Sequence, residues 1–231
     1  MEKTIINFSN LDESYNCLSN VIFRGEGVGD DEVGYLSSIQ ASTGTENVES
    51  AIVEYDVSFK NFEFLNFFSN IKTLVWRGKN LISLEGVGNL KKLKRIIIIV
   101  DKRKPLRFSF VEGNTYELFD VNDLKKEEIA EIGAAKCIDL LTLRDCKVED
   151  FSSFRGCEIR YLDFSVYKNE KISEIYARGL KKLRFDGCSK LTEIVSAQLI
   201  DLDYVEIQSC NKFNLESLKD VDCSGIVNLA T

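Results

Sequence analysis

Three cysteines and a pair of aspartates are where this sequence first looks capable of chemistry. Cys146, Cys188 and Cys210 offer thiolates for nucleophilic attack or soft-metal binding. Asp163 with Asp186 offers two carboxyls for acid–base hydrolysis. Neither set has the helpers such chemistry needs. The chain contains no histidine, which removes the commonest general base and metal ligand. A cysteine nucleophile then lacks its usual activator. The stretch GEGVGDDE at 25–32 lacks the strand–glycine–lysine context of a phosphate-binding loop. The residues therefore read as non-enzymatic, with no catalytic, cofactor-binding or metal-ligating residue. A carboxylate-dependent hydrolase is the minor alternative.

What the three cysteines share is a place in a repeated phrase: an apolar residue, two free positions, an apolar residue, one free position, an apolar residue. It occurs at Ile71-Leu74-Trp76, Leu93-Ile96-Ile98, Tyr116-Phe119-Val121, Ile138-Leu141-Leu143, Ile159-Leu162-Phe164, Leu180-Leu183-Phe185 and Leu202-Val205-Ile207. The starts are 22, 23, 22, 21, 21 and 22 residues apart. A period in the twenties marks a solenoid that stacks one small unit. Each of the three cysteines follows the last apolar anchor of its phrase by three residues. Recurrence with the fold period assigns them to packing.

The last two anchors of each phrase are two residues apart, so each phrase reads as a short strand with those side chains on one face. The return segments carry anchors near every third residue, such as Leu81, Leu84, Val87 and Leu90, which suits tight turns and 3₁₀ segments. Residues 123–135 are charged and free of breakers, and predict a short helix. With one proline in the chain, Pro105, few ladder donors are lost. LTLRDC at 141–146, LRFDGC at 183–188 and VEIQSC at 205–210 resemble the leucine-rich repeat family in its cysteine variant, and LVWRGKNL at 74–81 comes next. The resemblance runs over roughly 48–223 and weakens at 116–124 and 166–167, where Leu124 and Tyr167 stand at the cysteine position and the strand register is expected to blur. It implies an α/β leucine-rich repeat solenoid. Short parallel strands would form the concave face, and turns with 3₁₀ or helical segments the convex one. The cysteine side chain would fill the bend after the strand. One domain is expected over 1–231: an atypical cap at 1–47, in which 18–23 is a degenerate first unit, repeats at 48–210 and a cap at 211–231. A shortened last strand is expected around Leu218, Val221 and Cys223.

The free positions beside the anchors form three outward rows. One reads Val75, Ile97, Asp120, Thr142, Asp163, Arg184, Glu206; the second Arg77, Ile99, Asn122, Arg144, Ser165, Asp186, Gln208; the third Thr73, Arg95, Leu118, Leu140, Tyr161, Lys182, Tyr204. Tyrosine and arginine are favoured binding anchors, and acids add steering and specificity. The candidate protein interface is therefore Asp120, Asn122, Thr142, Arg144, Asp145, Tyr161, Asp163, Arg184, Asp186, Tyr204 and Glu206. Against this, charges on an exposed sheet serve solubility, and pairs such as Asp163 with Arg144 or Arg184 would add a few tenths of a kcal/mol each. Trp76, at an anchor position, reads as core. Lys102, Arg103, Lys104 and Arg107 read as a solvated loop, since a nucleic-acid interface needs a wider positive footprint.

The net charge is −7, from 37 acidic and 30 basic residues. It disfavours nucleic acid and anionic membrane as partners and favours a basic protein. No secretory signal or membrane-spanning run is visible, and seven cysteines, an odd number, suit free thiols in a reducing compartment. A cytoplasmic protein-binding solenoid, a monomer alone or a heterodimer with its partner, follows as the expectation. Its small acidic form resembles the bacterial immunity proteins that block a cognate toxin, which would make the partner a basic toxin domain. An adaptor or substrate-recognition subunit is the alternative.

Overall fold

In the computed structural model the last two anchors of each apolar phrase lie on a strand. Residues 20–24, 48–55, 59–78, 81–101, 104–199, 202–221 and 223–229 are described. The chain divides into two compact units, Met1–Leu106 and Arg107–Thr231.

In the first unit β1 (Asn20–Arg24), β2 (Ser50–Tyr55), β3 (Thr73–Gly78) and β4 (Arg95–Val100) pair parallel in chain order. Strand β1 thus overlaps the segment read as a degenerate first unit, ending one residue beyond it. Ala51, Leu74 and Ile96 share one register line, and Val53, Trp76 and Ile98 the next. All six are fully buried, because successive strands carry the same inward face. Trp76 is core, and the Phe62 ring meets its edge at 5.1 Å. The returns run through 3₁₀ turns at Glu63–Phe67 and Val87–Asn89. Gly86, at φ 91°, lets them touch: a Cβ there would stand 2.5 Å from the Glu63 nitrogen. On the outer face Val75 is buried, and Ile97 and Ile99 are half-buried.

The second unit contains β5 (Thr115–Asn122), α1 (Lys126–Ile132), β6 (Cys137–Arg144), β7 (Asp150–Phe151), β8 (Glu158–Ser165), β9 (Lys171–Ile172), β10 (Glu174–Ala177), β11 (Lys182–Asp186), β12 (Glu193–Ile194), β13 (Ala197–Leu199), β14 (Leu202–Gln208) and β15 (Cys223–Leu229). Its main sheet is parallel, in the order β5-β6-β8-β11-β14-β15. The returns hold two small parallel ladders, β13-β10-β7 and β12-β9. Between these lie 3₁₀ turns at Ser109–Val111, Ser152–Gly156 and Leu215–Leu218. Inward rows Phe119-Leu141-Leu162-Leu183-Val205 and Val121-Leu143-Phe164-Phe185-Ile207 stack in register and are buried.

Three expectations are revised. The helix is shorter than 123–135. It begins after Lys125, whose N–H donates to the Glu128 carboxylate at 2.7 Å. It ends at Gly133, where a Cβ would press to 2.5 Å from the Ser153 carbonyl oxygen. The last strand is not a shortened one around Leu218 but β15, seven residues long, with Leu218 closing a 3₁₀ turn. The weak matches at 116–124 and 166–167 do not blur the register. Asp120, Thr142 and Asp163 still align, because Leu124 and Tyr167 replace cysteine as inward plugs. The Tyr167 hydroxyl lies 2.8 Å from the Val148 carbonyl and 3.0 Å from that of Lys171, and donates its one proton between them.

A turn position recurs directly after the strands. Asp123, Asp145, Val166, Gly187 and Ser209 have φ of 50°, 51°, 54°, 64° and 54°. The N–H of each of the first four donates to the last carbonyl of the next strand, at 2.8, 3.0, 2.8 and 2.9 Å. This left-handed step swings the following residue inward, which is why Leu124, Cys146, Tyr167, Cys188 and Cys210 are buried.

Candidate protein-binding face

The second unit's strand register sets the outer rows side by side. Asp120, Thr142, Asp163, Arg184 and Glu206 form one line; Asn122, Arg144, Ser165, Asp186 and Gln208 the next; Leu118, Leu140, Tyr161, Lys182 and Tyr204 the third. Strands about 4.8 Å apart bring opposite charges into contact across these lines.

Arg184 is the hub. Its Nε donates to Glu206 at 3.0 Å, and its Nη2 donates to Asp186 and to the Gln208 side chain, both at 2.9 Å. Nη1 reaches Asp163 only at 3.5 Å. Lys182 closes the other side of Glu206 at 2.5 Å and lies 5.1 Å over the Tyr204 ring. The Lys182 ammonium, hydrogen-bonded to Glu206, holds that carboxyl below its usual range. A second group forms around Arg144, whose Nε donates to both Asp120 oxygens at 2.8 and 3.0 Å. Asp145 pairs with Lys168 at 2.8 Å.

These contacts correct the outward reading of two residues. Asp120 is 6 % exposed and Thr142 4 %, so they are not a contact surface. Arg144 folds back along Asp120 instead of reaching Asp163, and covers it. Asn122, Arg144, Asp145, Asp163, Arg184, Asp186 and Glu206 are half-buried. Tyr161, at 45 %, and Tyr204, at 37 %, stand out from the face. Lys182, Ser165 and Gln208 belong to the network although the interface expectation omitted them. Their places in the same rows carried the signal.

Asp163 is the weak point of the network. One of its oxygens is buried with no hydrogen-bond partner, and burial pushes its carboxyl above the ordinary value of 3.8, against the pull of Arg184 and Arg144 and with Asp186 and Asp120 adding to the rise. A carboxyl raised by folding favours the native state below its unfolded pKa, and that contribution is lost as pH rises through the folded pKa. Asp163→Asn keeps the shape and removes the charge. Its melting temperature at pH 7 should equal or exceed that of the parent, and its advantage should shrink on acidification below pH 4. A clear loss of stability at pH 7 would show that the charge is needed for folding.

The thiols are plugs. Cys188 Sγ lies 3.3 Å from the Phe164 carbonyl oxygen, and Cys210 Sγ 3.1 Å from that of Gln208. The Val148 N–H donates to Cys146 Sγ at 3.5 Å. Burial pushes the Cys146 thiol up to about 11 and the Cys157 thiol up to about 12, so both stay protonated at neutral pH. Among the described residues no group of three or more histidine, cysteine, aspartate or glutamate side chains is placed to hold a metal ion. No helix among them is long and apolar enough to cross a membrane. Of the basic loop, Lys102 and Arg103 lie outside the described residues, as do the segment 25–47 and Cys17. Arg107 is tied to Glu131 at 2.8 Å. No family model matches the chain, and comparison with the curated proteins and with the solved structures found no match.

Proposed function

We propose that this protein is a leucine-rich-repeat-type binding protein that acts by occupying a basic surface of another protein, as an immunity protein occupies its toxin. The observation that carries the reading is the outer face of the second unit. It combines two exposed tyrosines with a fixed polar network in which carboxylates outnumber cations. Tyrosines give large contact area at low entropic cost. A network already held by ion pairs loses little freedom on binding. Surplus negative charge speeds encounter with a cationic partner. The carboxyls on this face are engaged with arginine and lysine, and Cys146, Cys188 and Cys210 are packed in the bends after their strands, so the reading asks no chemistry of them.

The test is recovery of a partner from the native cell with the parent chain and with an Asp145→Lys, Asp203→Lys double variant. Both positions lie on or beside the outer rows; Asp145 is half-buried and Asp203 exposed. The reading expects one basic protein, encoded beside this chain, recovered by the parent and lost with the variant. Its dissociation constant should weaken steeply with salt. Equal recovery by both chains, or an acidic partner, would overturn it.

A further inference from the structure

Val166 occupies a backbone conformation that its side chain disfavours. Its φ is 54°, in the left-handed region, where a β-branched residue is a steric outlier. The corresponding turns after the other strands carry Asp123, Asp145, Gly187 and Ser209, all small or able to bond their own backbone. Burial does not offset the strain, because Val166 is 43 % exposed. Its Cγ2 lies 3.7 Å from where a Cβ on Gly187 would sit. Tyr161 lies in β8, five residues before Val166, which directly follows the last residue of that strand; the span is roughly 16 Å at the rise of an extended chain. The Arg184 hub lies between these two exposed apolar side chains, and Tyr204 stands two strands along from Tyr161.

We propose that Val166, Tyr161 and Tyr204 are the apolar anchors of the partner-binding face, set around the Arg184 hub, and that they receive a polypeptide surface mixing apolar side chains with arginines. This rests on the protein-binding reading above and names the chemistry of the partner. The arginines are called for by charge: Asp145 flanks Val166 in the line of turns, and Asp203 precedes Tyr204. Strain kept at an exposed valine has a use where a partner covers the side chain. Anchors of this kind concentrate binding energy when water is excluded around them.

The probe is a short peptide alternating arginine with leucine, and the control is the same peptide with glutamate for arginine. Each is titrated into the full chain while side-chain NMR shifts are followed. The arginine peptide should move Tyr161, Tyr204 and Val166 most. Tyr161→Ala and Val166→Gly should each weaken it about tenfold. Val166→Gly should at the same time raise the melting temperature by about 2–4 °C, by relieving the backbone. A valine that matters only to folding would not move stability and binding in opposite directions. Val166→Asn, which tolerates the same φ, should repeat the pattern. If the arginine peptide binds both variants as it binds the parent, or shifts residues elsewhere, the anchors are wrongly assigned. If Asp145→Lys, Asp203→Lys still abolishes that binding, the acidic-face reading survives without them. Equal binding of the glutamate peptide overturns both.

Discussion

Phe164→Ala should lower stability by about 3–5 kcal/mol, the range for an aromatic removed from a core that cannot collapse. Phe164 is fully buried at the centre of the second unit. Phe185 stacks on it at 5.2 Å, while Phe151 and Tyr167 meet it edge-on at 5.1 and 5.6 Å. Its strand is hydrogen-bonded on one side to β6 and on the other to β11, so the backbone is not free to close the void. For a chain of this size the change corresponds to a melting-temperature drop on the order of 10 °C. Phe164→Leu, which keeps most of the volume, should cost about 1–2 kcal/mol. Trp76 lies in the first unit, so tryptophan fluorescence reports that unit, and far-ultraviolet dichroism reports both. A loss below about 1 kcal/mol for Phe164→Ala would mean that the inward rows are not a continuous core.

Arg184→Ala should cost about 2–3 kcal/mol, less than a fully buried pair because the side chain is partly solvated. Arg184 is the guanidinium that binds Asp186 and Glu206 and reaches Asp163. Removing it leaves three carboxylates crowded on neighbouring strand positions, with only Lys182 still on Glu206. Like charges so placed repel, and the burial around Asp163 deepens the effect. Arg184→Lys keeps the charge but loses the planar fork that serves several acceptors at once, and should recover about half of the loss. The sign of the pH dependence follows from the acids. In Arg184→Ala they ionise unopposed at neutral pH, so protonating them should narrow the gap from the parent as pH falls toward 4. A gap that is constant from pH 7 to 4, or below about 0.5 kcal/mol, would show that the network adds no stability.

The parts legible in the sequence are those that the backbone imposes. Two-residue spacing between anchors such as Leu141 and Leu143 can only place both on one face of a strand, so the inward rows and the lines of outward residues follow directly. The small β13-β10-β7 and β12-β9 ladders were not legible: strands of two to four residues, such as Asp150–Phe151 and Ala197–Leu199, carry no alternation to read. Nor was the burial of Asp120 and Thr142. It depends on which way the Arg144 side chain turns, and row membership alone does not decide that. Val166 does carry a sequence signal: a β-branched residue where the equivalent turns have aspartate, glycine or serine. The end of the chain misled for a simpler reason. Leu218, Val221 and Cys223 imitate the strand spacing, but the 3₁₀ turn takes Leu218, and the strand runs on through an uncharged stretch of small and apolar residues.

Site-directed photocrosslinking tests the central claim most directly. A photoreactive side chain is placed at Tyr161 on the outer face and, in a second chain, at Val195, which is 61 % exposed on a return segment. Both are irradiated in the native cell. The account predicts a covalent adduct from the Tyr161 position with one basic protein, absent from the Val195 position and suppressed by Asp145→Lys with Asp203→Lys. An adduct from the Val195 position alone, or one indifferent to those charges, would contradict it.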